Sequence, residues 1–138
     1  MNEYLLDTNH VSPLVTIGYP LRERVFERID AGDKFAVCVP VVTETLFGIG
    51  ILPRAKQNRE QWTRLMQLLP CYIPDESDAE FAGNLRISLR SRGWQLETVD
   101  ALIASVALRH GITVLTTDKD FRGVPNLQHE NWLKLSTE

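Results

Sequence analysis

The chain has 138 residues, of which 43% are hydrophobic and 24% are charged, and its formal net charge is −3. This length suits one domain, residues 1–138, and the composition is that of an ordered globular protein. The longest apolar stretch, residues 35–42, is too short to span a bilayer, and the first residues lack a signal-peptide pattern, so we expect a cytoplasmic protein without a membrane segment. The negative charge argues against a nucleic-acid binder that works through charge alone.

Apolar runs alternate with amphipathic segments along the chain. Short strands are predicted at residues 4–6, 35–39, 72–73, 113–116 and 127–129. Helices are predicted at residues 21–31, 44–52, 55–69, 78–92 and 99–110. Pro40 is expected to end the second strand, while Thr43 and Thr98 are expected to cap the helices that follow them. This alternation predicts an α/β fold with a mainly parallel sheet and helices on both faces.

Four acidic residues stand at strand exits or helix starts. Asp7 follows the first predicted strand, Glu44 opens the helix after the second, Asp100 opens the last helix, and Asp118 follows the fourth strand. Such positions lie at one edge of an α/β sheet, which is where ligands bind in this class of fold. Carboxylates that are gathered in one place repel each other, so the pattern predicts a divalent cation or a shared proton between them.

Each of these acids also has a purely structural interpretation. Asp7 suits a turn or a cap after a strand. Glu44 and Asp100 suit the first turn of a helix, where an acid interacts favourably with the helix dipole. The position of any one of these acids, taken alone, therefore does not distinguish a functional role from a structural role in a helix or turn.

The segment 116–121 contains two acids that compete for one role. Asp118 lies nearer to the strand end and is the preferred candidate, whereas Asp120 is expected to cap or brace the loop. Thr116 is placed to hydrogen-bond a carboxylate that binds metal.

An all-oxygen carboxylate site suits Mg²⁺ or Mn²⁺ rather than zinc. Such ions activate water and neutralise charge on a leaving oxygen, which fits hydrolysis of phosphodiesters. If the four acids surround metal, the rest of the chain carries a net charge of +1, because four of the negative charges are then neutralised. Basic residues also cluster, for example in residues 22–28, 54–64 and 86–92. An acidic pocket with basic surroundings is compatible with a polyanionic substrate.

Four motifs in this order resemble the PIN domains, and more narrowly the VapC-type toxins of bacterial toxin–antitoxin pairs: Leu5–Asn9, Thr43-Glu44, Val99–Ala104 and Thr116–Phe121. The resemblance covers essentially the whole chain and implies a PIN-like three-layer α/β/α fold. It implies a ribonuclease that uses Mg²⁺ or Mn²⁺ and acts on RNA as the toxin of a type II toxin–antitoxin system. It also implies a homodimer and a cognate antitoxin protein, a segment of which occupies a groove near residues 44–69.

The resemblance assigns catalytic roles to Asp7, Glu44, Asp100 and Asp118. Asp7 and Asp100 are expected to be the direct metal ligands, while Glu44 and Asp118 act through water or hold a second ion.

Two threonines and one further acid complete the assignment. Thr8 and Thr116 match family positions that usually help to orient the acids. Relatives often have one more residue before the Asp-Phe pair than this chain has, so Asp118 and Asp120 could exchange roles.

Two other classes of function remain open. A PIN-like scaffold could bind RNA or a protein without efficient cleavage, although the intact set of mutually repelling acids disfavours this reading. The second is a metal-dependent phosphatase of the haloacid dehalogenase type. That type needs a second acid two positions after the first, and this chain has Asn9 there, which counts against it.

Two aromatic residues near these motifs have open roles. Trp94 follows Arg92-Gly93 in a predicted loop, where its ring could stack on a base but is more simply packed against a helix. His10 lies close to Asp7 in sequence, and a surface or helix-start position is preferred over a role in the site.

Overall fold

A computed structural model describes residues 1–133 of the chain, and positions 134–138 lie outside the described residues. Five strands are present in the described part: β1 (Glu3–Leu6), β2 (Lys34–Cys38), β3 (Cys71–Tyr72), β4 (Thr113–Leu115) and β5 (His129–Glu130). The α-helices are α1 (Thr8–Val11), α2 (Pro20–Asp30), α3 (Val39–Gly50), α4 (Ala55–Met66), α5 (Glu76–Ser91) and α6 (Thr98–His110). Two short 3-10 helices span Ser12–Val15 and Lys119–Gly123. None of these helices is both long enough and apolar enough to cross a membrane.

The strands form one sheet in the order β3-β2-β1-β4-β5, and every neighbouring pair runs parallel. β1 lies at the centre, where Leu5 is opposite Ala36 of β2 and Val114 of β4. Parallel sheets need cover on both faces, which explains why these strands are continuous apolar runs. Leu5 and Val114 are fully buried and join one core cluster with Ile103 of α6. The predicted α/β fold with a mainly parallel sheet is confirmed.

The start of α3 differs from the prediction. The helix begins at Val39, with Pro40 in its first turn, rather than at Glu44. Proline suits this position because its missing N–H would be unpaired there in any residue. Pro40 therefore starts the helix directly after the strand, and Thr43 is an internal helical residue rather than the cap.

Other boundaries differ from the prediction by one to three residues. The residue that precedes α6 as its N-cap is Glu97, so Thr98 is the first helical residue and not the cap. The last strand, predicted at residues 127–129, lies at His129–Glu130. Boundaries of this kind depend on which backbone groups find partners, which local sequence patterns specify weakly.

Asp78, in the first turn of α5, ties this helix to α6. Its Oδ1 accepts hydrogen bonds from the Ser105 hydroxyl at 2.7 Å and from Arg109 Nε at 3.2 Å. Its Oδ2 accepts from Arg109 Nη2 at 2.6 Å and from the backbone N–H of Asp75 at 3.0 Å. Asp75 reciprocates by accepting the N–H of Asp78, which completes a capping box. Burial opposes ionisation of Asp78, but the hydrogen bonds from Arg109, Asp75 and Ser105 outweigh it and lower its pKa to about 2.

The substitution Asp78→Ala is expected to lower the free energy of unfolding by about 2–4 kcal/mol, because it leaves a cation without its buried partner and removes half of the capping box. Ser105→Ala is the matched control, since it removes a single hydrogen bond and should cost about 1 kcal/mol. Urea unfolding at pH 7 measures both values. Equal losses for the two variants would contradict the central role given to Asp78.

A comparison of the wild type with Asp78→Ala also tests how the contribution of Asp78 to stability depends on pH. The folded pKa of Asp78 lies below its unfolded value, so its contribution is complete above about pH 4 and disappears as the pH falls through about 2. The stabilities of the wild type and of Asp78→Ala should therefore converge over that acidic range.

Candidate active site

An open cleft of about 460 Å³ lies at the carboxyl ends of β1 and β4. Its lining comprises the four predicted acids and their neighbours: Asp7, Thr8, Glu44, Glu97, Thr98, Val99, Asp100 and Asp118. β1 leads directly into the first of these acids, α3 carries the second, the first turn of α6 carries the third, and the loop after β4 carries the fourth. The fold thus brings together four carboxylates that come from separate parts of the sequence.

Asp7 is the most enclosed of the four acids, with 5% of its surface exposed. Its backbone N–H donates to the carbonyl of Leu115 at 3.0 Å, which continues the pairing of β1 with β4. Its Oδ1 accepts the N–H of Thr8 at 2.8 Å, and its Oδ2 accepts the Thr116 hydroxyl at 2.8 Å and the Asn9 amide at 3.3 Å. Asp7 is thus the cap of α1 while its Oδ2 is held by the residue that follows β4.

The ionisation of Asp7 reflects opposing influences. Burial raises the pKa of its carboxyl, and the hydrogen bonds from Thr116 and Thr8 work in the opposite direction. The nearby charges of Glu44 and Asp118 raise the pKa further. The net increase shows that the cleft disfavours a full set of bare negative charges.

Glu44 is held by a threonine from another helix. The hydroxyl of Thr8 donates to Glu44 Oε1 at 3.0 Å and links α1 to α3. Because α3 begins at Val39, Glu44 lies in the second helical turn and is exposed. The helix-dipole interpretation of this residue, which required a place in the first turn, therefore does not apply.

Asp100 and Asp118 lie against each other in the cleft. Burial, together with the charges of Asp7, Asp118 and Glu44, raises the pKa of Asp100 to about 7. Asp118 is positioned by its backbone, whose N–H donates to the Thr116 hydroxyl at 2.9 Å. That hydroxyl therefore connects Asp7 to the loop of Asp118.

Asp120 is not among the residues that line the cleft. Burial and the neighbouring charge of Asp118 raise the pKa of its carboxyl. Asp118 caps the 3-10 helix by accepting the N–H of Asp120 at 2.8 Å, so the capping role expected for Asp120 belongs to Asp118. Asp120 braces the loop through its backbone carbonyl, which accepts a hydrogen bond from Trp94 Nε1 at 2.7 Å.

Comparison with known families places this fold and cleft in context. The family model of the PIN domain matches residues 4–127, which is most of the chain. This chain belongs to the PIN domain family.

Individual relatives extend the match over nearly the whole of this PIN domain. Ribonuclease VapC2 from Rickettsia felis is 26% identical over 132 residues, covering 95% of this chain and 98% of the relative. The crystal structure of VapBC2 from Rickettsia felis bound to a DNA fragment from their promoter aligns with a TM-score of 0.81 and 25% identity, covering 94% of this chain and 98% of that chain. The crystal structure of FitAcB from Neisseria gonorrhoeae aligns with a TM-score of 0.74 and 26% identity, covering 96% and 99%.

Two residues at the cleft of this PIN domain were not predicted from the sequence. Asn9 donates to Asp7 and accepts the N–H of Thr117 at 3.1 Å, so it fastens α1 to the loop after β4. Glu97 adds a fifth acid to the lining, at the N-cap of α6. The available signals were the proximity of Asn9 to Asp7 and the place of Glu97 just before a helix, and both have common structural explanations.

His10 lies outside the cleft lining in the short helix α1, which agrees with the expected helix-start position, but it is fully buried and therefore not at the surface. Its Nε2 accepts the N–H of Trp132 at 3.0 Å, and its Nδ1 shares a hydrogen bond with Asn9 Oδ1 at 2.8 Å. Burial lowers the pKa of His10 to about 4, so the ring is neutral at pH 7 and joins α1 to the segment after β5.

The donor set of the cleft fits a hard divalent cation. Its lining residues offer carboxylate and hydroxyl oxygens, which are the ligands that Mg²⁺ and Mn²⁺ prefer. The lining includes neither a thiol nor an imidazole. Within residues 1–133, no three acidic, histidine or cysteine side chains are already arranged as a metal cage. Mg²⁺ typically binds through one or two carboxylates together with waters and substrate phosphates, so a complete protein cage is not needed.

The substitution Asp100→Asn is expected to raise the free energy of unfolding of the metal-free protein by about 1–2 kcal/mol at pH 8, because it removes a charge that burial and neighbouring acids disfavour. The folded pKa of Asp100 lies above its unfolded value, so the wild type loses stability as the pH rises from about 4 to about 7. The advantage of the variant should therefore be small at pH 5 and complete at pH 8.

Urea unfolding in the presence of a chelator measures this difference. Asp30→Asn is the matched control, because Asp30 is exposed at the end of α2 and its replacement changes the net charge equally. An Asp100→Asn protein that is less stable than the wild type at pH 8 would disprove the claim of repulsion in the cleft.

Proposed function

We propose that this protein is a divalent-metal-dependent endoribonuclease and the toxin component of a type II toxin–antitoxin system. The observation that carries the proposal is the convergence of Asp7, Glu44, Asp100 and Asp118 on one cleft at the carboxyl ends of the strands. Similarity over nearly the whole chain to Ribonuclease VapC2 and to the VapBC2 complex supports hydrolysis of RNA and pairing with an antitoxin. With cellular RNA as the substrate, the activity belongs in the cytoplasm.

Asp7 and Asp100 are the proposed metal ligands. Both face the cleft, and both have carboxyl groups whose pKa is raised by burial and by neighbouring acids, so both gain most from a cation. When bound there, Mg²⁺ or Mn²⁺ would activate a water molecule and neutralise charge on the scissile phosphate. Glu44 and Asp118 would complete the site by holding water molecules through their carboxylates.

Two threonines give the acids their positions before RNA arrives. Thr116 holds the Asp7 carboxylate and the backbone of Asp118 through one hydroxyl, and Thr8 holds Glu44. Groups that are fixed in advance do not need to be reorganised during the reaction, which is a main source of catalytic rate. We therefore assign Thr8 and Thr116 a positioning role rather than a catalytic one.

The substitution Asp100→Asn is expected to reduce metal-dependent cleavage of RNA by at least about 100-fold, since loss of a direct ligand should exceed the 10–100-fold effect usual for residues that merely orient ligands. Purified wild type, Asp100→Asn and the control Asp30→Asn are incubated with structured and unstructured RNA, with Mg²⁺, with Mn²⁺ and with a chelator. Cleavage should require metal, disappear in Asp100→Asn and persist in Asp30→Asn. Equal cleavage by all three proteins would point to a contaminating nuclease or to a different site.

The same assay separates the two acids of the β4 loop. Asp118 lines the cleft and Asp120 does not, so Asp118→Asn should abolish cleavage while Asp120→Asn retains most of it. The reverse order would exchange their roles. Tight RNA binding without cleavage under any metal would instead favour the PIN-like binding module.

The antitoxin is expected to use a groove of about 440 Å³ between the first 3-10 helix and α4. Ile17 and Leu52 line this groove and are 71% and 55% exposed, so they give it an exposed apolar surface. An apolar antitoxin segment would cover them. The family likeness also leads us to expect a homodimer.

The double substitution Ile17→Asp and Leu52→Asp is expected to prevent co-purification with the cognate antitoxin, because it places charges where apolar contacts are needed. Both residues lie outside the acidic cleft lining, so RNA cleavage by the isolated variant should continue. Co-expression followed by affinity purification and an RNA cleavage assay measures both properties. Unchanged recovery of the antitoxin would show that it binds elsewhere.

A further inference from the structure

A second groove, of about 470 Å³, lies between α5 and the segment that leads into α6. α5 contributes Arg86, Ile87 and Arg90, and residues 94–97 form the other side. Glu97 lines both this groove and the acidic cleft, so the two depressions meet at the start of α6. A chain that occupies the cleft can therefore continue into the groove without leaving the surface.

Trp94 is fixed in this groove while remaining 37% exposed. Its Nε1 donates to the carbonyl of Asp120, and its ring lies against Gly123, where an added Cβ would stand 2.4 Å from Nε1. The indole therefore packs against the 3-10 helix Lys119–Gly123 after β4, so it lies against a helix, as expected from the sequence. A rigid ring that is more than one-third exposed can receive a flat partner without a large loss of side-chain entropy.

The two arginines of the groove differ in their freedom. Arg86 donates to the carbonyl of Leu96 at 2.7 Å and to the hydroxyl of Thr98 at 2.8 Å, so it holds the entrance to α6 in place. Arg90 is exposed, and its side chain has neither a hydrogen-bond nor an ion-pair partner within residues 1–133. Arg90 is therefore available for a phosphate group.

We propose that this groove binds a nucleotide that flanks the scissile phosphate of single-stranded RNA, with its base stacked on Trp94 and a backbone phosphate at Arg90. The proposal rests on the ribonuclease function and adds a substrate subsite to it. An aromatic platform beside an unpaired cation is the usual means of binding single-stranded nucleic acid without reading its sequence. Glu97 stands at the junction, where its carboxylate suits the hydroxyl donors of a ribose better than a phosphate.

RNA binding is measured in the Asp100→Asn background with a chelator, so that cleavage does not disturb the equilibrium. The probe is a fluorescently labelled single-stranded decaribonucleotide, and fluorescence anisotropy gives its Kd. Trp94→Leu should weaken binding about 10-fold, whereas Trp94→Phe, which keeps a ring but loses the indole N–H, should weaken it less. Arg90→Gln should weaken binding and reduce its dependence on salt. Arg59→Gln on α4 is the matched control and should change little.

Further measurements distinguish a loss of base stacking from a loss of structure. They also show whether the groove binds RNA or protein. RNA should quench the tryptophan fluorescence of the parent protein, and this quenching should be lost in Trp94→Phe. The affinity for duplex RNA should be the same in Trp94→Leu as in its parent. Thermal unfolding and sedimentation are recorded for every variant. A changed oligomeric state with unaltered RNA affinity would show that the groove contacts protein and would overturn the proposal.

Failure of the subsite and failure of the ribonuclease function give different results. If Trp94→Leu and Arg90→Gln bind RNA as their parent does while the wild type cleaves RNA, the subsite is wrong and the ribonuclease function stands. If the wild type never cleaves but binds RNA through Trp94, the groove is supported as an RNA site and the ribonuclease function is wrong.

Discussion

The parallel register between β1 and β4 determines where the acidic cleft forms. Leu6 lies opposite Leu115, and the N–H of Asp7 extends this pairing by one more hydrogen bond to the Leu115 carbonyl. Asp7 and Thr116 therefore leave the sheet side by side, and the Thr116 hydroxyl bonds both the Asp7 carboxylate and the N–H of Asp118. A slip of one residue would turn Asp7 to the opposite face and break this link, so the apolar strand core specifies the site.

The fold holds these acids together against their mutual repulsion. Burial and neighbouring charges raise the pKa of Asp7 and of Asp100, which means that the metal-free cleft opposes folding at neutral pH. The acids remain in place because each belongs to a different element that is anchored in the core. Contacts outside the cleft lining, such as the buried carboxylate of Asp78 between α5 and α6, contribute stability that offsets this repulsion. Functional sites commonly have this conflict with stability.

The sequence correctly predicted those features of the fold that depend on a single segment of the chain. Continuous apolar runs located β1 and β4 and indicated a parallel sheet, because both faces of such strands are covered. The start of α3 was predicted wrongly because Pro40 acts both as a strand terminator and as a first-turn helical residue. The acids and their order could be named from the sequence, but the contact of Thr8 with Glu44 joins residues 36 positions apart and depends on how α1 packs on α3. The choice between Asp118 and Asp120 depends on a 3-10 turn that spacing does not reveal.

The 3-10 helix after β4 couples the acidic cleft to the neighbouring groove. Asp118 caps its start and faces Asp100, while the carbonyl of Asp120 and the bare backbone of Gly123 hold Trp94. Any side chain at position 123 would displace the indole, and a displaced indole would release the carbonyl of Asp120, which lies two residues after the cap Asp118. The need for glycine at this position therefore follows from the packing of Trp94. In the proposed subsite, a base stacked on Trp94 would contact the side chain that packs on this short helix, and the cap of the same helix is Asp118.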